Sequence, residues 1–183
     1  PVTVPLFMRT RRIMKEKGID ELFYAVRHLK KENENFVLDL VGFFEDEYKE
    51  QVKELEKHSI AHFYGFQSDP RPFYIEADCV VLPSYHEGMS NVLLEAAATG
   101  RPVITSNIPG CRESVENGKS GLLVEVKNKE MLYDAMKEML HCSREEREQM
   151  GQAGREKMER EFRKEVVVEK TVQSLREDEK RDF

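Results

Sequence analysis

Short apolar runs alternate with helical stretches along most of this 183-residue chain, and few folds accept that pattern. The runs are PLFM (5–8), FVLDLVG (36–42), IAHFYG (60–65), CVVLPS (79–84), PVITS (102–106) and GLLVEV (121–126). Each has strand length, and two close on glycine. Between them lie an amphipathic helix from about 20 to 31 and the acidic helix EDEYKEQVKELEKH (45–58), with acids at its favoured amino end. A turn with a short helix, DPRPFYIEA (69–77), the stretch after 84 and a helix over 129–141 fill the remaining gaps. The alternation predicts βαβ units: an α/β fold with a parallel sheet buried on both faces. Such sheets hold ligands at the carboxyl ends of their strands, at a topological switch point. The loops after Met8, Gly42, Gly65, Pro83 and Thr105 are therefore the places to search for function.

Several classes are disfavoured at once. The length suits one domain over 1–183, with 143–183 as a charged helical extension in which 23 of the last 43 residues are Asp, Glu, Lys or Arg. A net charge of −6 argues against a nucleic-acid surface, which needs cations to neutralise phosphates. Cys79, Cys111 and Cys142, odd in number and widely spaced, suggest reduced thiols in a cytoplasmic setting. No apolar run reaches membrane-spanning length, and the start has no signal-peptide layout.

One stretch carries more chemistry than the rest: HEGMSNVLLEAAATG, residues 86–100. If CVVLPS is a strand, YHEGM is the loop at its carboxyl end, and Ser90 or Asn91 caps the next helix. Glu87 then lies in the loop, while Glu95 sits about 6–8 Å along the helix axis from the cap. Free N–H groups at 89–92 fall between the two acids, where a helix start can hold an anion. The layout is acid, anion hole, acid, and a sugar nucleotide presents sugar hydroxyls, diphosphate and ribose hydroxyls in that order. Leu93 occupies the capping-box position, so Glu95 has no capping duty. RRIMKEKG (11–18) places Arg12 and Lys17 in the first strand–helix loop, where two cations could close on a diphosphate.

With these residues in view, PSYHEGMSNVLLEAAATGRPVITSNIPGCRESVENGKSGLLV closely resembles the donor-binding half of retaining GT-B glycosyltransferases of family 4. Glu87 and Glu95 match the family's E-x7-E signature, and Arg12, Lys17 and Gly18 match its Arg-x4-Lys-Gly element; the likeness runs from about 6 to 170. The resemblance implies a Rossmann-like sheet flanked by helices and transfer of a sugar, first guessed as a UDP-hexose, to an acceptor hydroxyl in polysaccharide or glycolipid synthesis. It implies that Arg12 and Lys17 bind the diphosphate and that Glu87 holds the sugar at the reacting end. Gly88, Met89, Ser90 and Asn91 would give backbone contacts, and Glu95 would bind the ribose. Gly42, Gly65 and Phe66 would shape the nucleotide pocket. No metal or other cofactor is expected, because cations and a helix end stabilise the leaving diphosphate. The nucleotide-sugar is substrate, and nucleic acid is not a partner.

Two departures qualify the match. Arg11 stands where the family carries Gly or Ser, and it could crowd the diphosphate or point outward. Family members are roughly twice this long, so the expected partner is an N-terminal acceptor-binding domain, through which any membrane contact would run. Two other readings stay open: a sugar-nucleotide 2-epimerase of GT-B architecture, and a non-catalytic nucleotide-binding module. Of the adjacent Phe43 and Phe44, one is expected in the core and one against a base. Cys79 is expected in the core; Cys111 is expected to face the crevice, in a loop where Glu113 could also reach a donor.

Overall fold

The structure, a computed structural model, describes residues 4–169, with side chains from residue 12 onward. Its strands are β1 (Val4–Ile13), β2 (Phe36–Phe44), β3 (Ala61–Phe63), β4 (Cys79–Leu82), β5 (Val103–Ser106) and β6 (Gly121–Val124). Its helices are α1 (Ile19–Lys31), α2 (Lys49–Lys57), α3 (Arg71–Glu76), α4 (Asn91–Ala98), α5 (Lys129–His141) and α6 (Arg144–Glu161). All six strands are parallel, in the order β3-β2-β1-β4-β5-β6. This is the doubly wound order whose direction reverses between its first and fourth strands. Every residue of β4 and β5 is buried. Neighbouring strand residues face opposite sides, so both faces of the sheet are covered. Helix α1 packs on α5, and α4 packs on α6.

The first strand is longer than its apolar run. PLFM predicts a strand followed by a basic loop, yet β1 continues through Arg12 to Ile13. A register shift between Arg9 and Arg12 inserts one extra residue, after which Arg12 and Ile13 pair with Phe43 and Phe44. A bulge of this kind lets a strand continue through residues whose pattern is wrong for it. Ile13, fully buried, anchors the far end. Among the described residues, β1 pairs with β4 through Leu6–Cys79 and Phe7–Val80. Beyond that point β1 stays paired with β2 and parts from β4 at the switch point.

The helix boundaries follow capping chemistry. Asn128 accepts the Met131 N–H at 2.9 Å to start α5. Ser143 and Glu146 form a reciprocal capping box that starts α6, the point from which the charged extension is predicted. A further helical segment over 164–169 follows, with Val167 and Val168 exposed; the rest of the predicted second charged helix lies outside the described residues. Among the described residues no helix is long and apolar enough to cross a membrane.

Candidate functional site

The loop after β4 is held from two sides. Gly18, at φ +70°, starts α1, and a Cβ there would stand 2.1 Å from the Pro83 carbonyl oxygen. Only glycine permits that approach. On the other side Gly110, at φ +86°, lies so close that a Cβ would stand 2.0 Å from the Gly88 oxygen. The Ser90 N–H donates to the Gly110 oxygen at 2.9 Å, and the Gly110 N–H donates to Glu113 at 2.8 Å. Tyr85 adds a backbone bond to Glu16 and a hydroxyl bond to the Glu21 carboxylate, each near the ordinary length. Burial, with Glu21 as acceptor, pushes the Tyr85 phenol upward.

This clamped loop brings Glu87 to Lys17. The Lys17 Nζ donates to Glu87 Oε1 at 2.7 Å, and the Ser84 hydroxyl donates to the same oxygen at 2.8 Å. Both partners of the ion pair are largely sheltered, with side chains 22% and 16% exposed, so it is screened less than a surface pair. Lys17 follows β1 and Glu87 follows β4, so the pair spans the point where those strands part. The ammonium has three donors, leaving it able to hold a second anion beside Glu87.

Helix α4 begins next to this pair with Ser90, one of the two expected caps, as its N-cap, although the serine side chain makes no capping bond. The expectation of free N–H groups at 89–92 needs one correction: that of Ser90 is taken by Gly110, because the two loops pack together. Among the described residues, the N–H groups of Met89, Asn91 and Val92 donate to none. Gly88 and Met89 are exposed. Glu95, exposed on α4, accepts from the Tyr74 hydroxyl at 2.9 Å, and both line a shallow cavity of about 500 Å³ that also includes Asp69, Arg71 and Thr99.

The second expected cation lies elsewhere than predicted. Arg12 is on β1, not in a loop, since the bulge extends the strand through it; its guanidinium lies 3.7 Å from Glu45. The two cations are thus engaged by different carboxylates. Gly42 and Gly65 join through a 2.9 Å bond from the Gly42 N–H to the Gly65 oxygen, linking the ends of β2 and β3. There Phe66 stacks on Phe43 with centroids 5.1 Å apart and rings 4° from parallel, each residue 56% exposed. Phe44 turns toward the core and packs on Phe63. Cys79 is buried, as expected for the core. Cys111 is buried too, contrary to its expected place facing the crevice, and burial pushes its thiol up to about 11. Arg11 has no described side chain.

Ser84, Gly110 and Tyr74 carry parts of this arrangement that the sequence reading did not assign. Ser84 precedes Glu87 by three residues, a local clue that was available. Tyr74 is 21 residues from Glu95, and nothing in the sequence announces their contact.

The fold is a doubly wound α/β domain with the Lys17–Glu87 pair at its switch point. Residues 2–157 match the family described as Glycosyl transferases group 1, and the chain belongs to that family. It is 30% identical over 161 residues to the capsular polysaccharide biosynthesis glycosyltransferase CapM of Staphylococcus aureus, covering 86% of this chain and 42% of CapM. It is 28% identical over 177 residues to the lipopolysaccharide core biosynthesis glycosyltransferase LpsE of Rhizobium meliloti, covering 96% of this chain and 51% of LpsE. The chain thus spans about half the length of these curated relatives. Among solved structures, Anabaena Alr3699/HepE in complex with UDP superposes with a TM-score of 0.80 at 20% identity, over 96% of this chain and 49% of that one. That likeness concerns the fold.

Proposed function

We propose that this chain is the donor-binding half of a retaining family 4 glycosyltransferase that moves a sugar, as a UDP-hexose, to an acceptor hydroxyl in polysaccharide or glycolipid synthesis. The observation that carries the reading is the Lys17–Glu87 ion pair across the parted strands, beside the open N–H groups at the start of α4. In this reading Lys17 and the N–H groups of Met89 and Asn91 hold the diphosphate. They stabilise the charge that grows on it as the sugar departs, the task a metal performs elsewhere. Glu87 accepts from the sugar hydroxyls and Glu95 from those of the ribose. Arg12 joins the diphosphate by leaving Glu45, which is inexpensive because that pair is exposed. The exposed Phe43–Phe66 stack and the Gly42–Gly65 link border the base. The acceptor is bound by an N-terminal domain, which accords with the greater length of CapM and LpsE.

The test is an NMR titration with UDP, GDP and ADP, repeated on Glu95→Gln. One nucleotide is expected to give saturable shifts around residues 87–95. The substitution keeps the shape of Glu95 but loses charge-assisted bonds to the ribose, weakening binding roughly ten- to a hundredfold. Absence of shifts with all three, or an unchanged affinity in the variant, overturns the reading.

A further inference from the structure

We infer that Ser84 is a positioning residue whose buried hydroxyl commits one oxygen of Glu87 to the protein and leaves the other for the ligand. This rests on the reading that Glu87 meets the sugar. Glu87 Oε1 receives both Lys17 and Ser84, while among the described residues Oε2 receives no hydrogen bond. A carboxylate turns easily about its last torsion, which is broad and roughly two-fold. Lysine is a compact charge on a flexible stem and does not select one orientation of its partner. A second donor on a fixed frame does.

Ser84 sits on such a frame. It is fully buried, and the residues around it are tied individually. The Thr105 hydroxyl donates to the Leu82 oxygen at 2.7 Å, Pro83 lies against the bare Cα of Gly18, and the Tyr85 N–H donates to Glu16 at 2.8 Å. Support of this kind holds a site group in one geometry. The plainer account, in which Glu87 merely satisfies a buried hydroxyl, leads to a different result. Loss of a structural bond would weaken all nucleotides alike. Loss of positioning removes only what the sugar adds.

Calorimetry of this chain with UDP against UDP-glucose, and GDP against GDP-mannose, separates these cases. The proteins are wild type, Glu87→Gln, Ser84→Ala and Ser84→Cys; the cysteine variant nearly keeps the volume with a weaker donor, and carries the test if the alanine variant does not fold. In wild type the sugar-bearing ligand of one pair is expected to bind more tightly than its parent nucleotide. Both Ser84 variants should lose about tenfold of that preference, the scale of one hydrogen bond to a charged group, with affinity for the parent nucleotide unchanged. If Glu87→Gln loses the preference and the Ser84 variants keep it, or lose both ligands equally, the positioning role fails while the reading of Glu87 stands. A wild type without the preference, or a Glu87→Gln that retains it, overturns the reading and the inference together.

Discussion

Glu87 and Glu95 are seven residues apart in the intervening sequence, yet the structure gives them different surroundings. Glu87 is sheltered and ion-paired, whereas Glu95 stands exposed with a phenol donating to it. The spacing, the cap at Ser90 and the place of Lys17 beyond the first strand were all legible, because each depends on local pattern. The partner of Arg12 was not, since an unseen bulge turned its loop into strand. Asp39 on β2 was missed as well, because a lone acid in an apolar run gives no sign of its neighbours. Burial raises its carboxyl above the ordinary 3.8, although the His62 imidazole 3.6 Å away pulls it back in part. A raised carboxyl favours its neutral form in the fold, so its contribution is complete below 3.8 and is lost as pH rises through the raised value. Asp39→Asn is therefore expected to melt higher than wild type at neutral pH, with the gap closing below that ordinary value. Melting curves of both proteins across this range test it, and a gap independent of pH would refute it.

At the scale of elements, periodicity located nearly every strand and the span of α5, while close helix approaches stayed hidden. Helix α6, packed on α4, meets the turn that follows it so tightly that a Cβ on Gly151 would stand 1.9 Å from the Gly100 oxygen. In sequence Gly151 looks like a weak point in a charged helix; in the fold it is what allows α6 to cover its neighbour. Gly151→Ala would gain helix propensity and still destabilise the chain by about 1–3 kcal/mol through overpacking. Urea denaturation measures this, and an unchanged or raised midpoint would show that α6 yields without loss. The thiols provide a second check on packing. Cys142 is part-exposed, whereas Cys79 and Cys111 are buried. Alkylation of the folded chain is expected to label Cys142 first, and early loss of the Cys111 thiol would contradict its burial.

For the molecule as a whole, the strand order divides labour between the halves of the sheet: the β1 side delivers Lys17 and the β4 side delivers Glu87 and α4. That order was not legible, because alternating strands and helices fix a parallel sheet without saying where its direction reverses. On the proposed reading, this chain binds its donor but releases no sugar to an acceptor. Sustained transfer from UDP-glucose by this chain alone would overturn that division. The chain contains no tryptophan and six tyrosines, one of which, Tyr74, holds its phenol against the Glu95 carboxylate. A ligand that claims Glu95 must therefore disturb a native chromophore. Difference absorbance in the tyrosine band can report occupancy of that end of the site directly, with no label and no indole background.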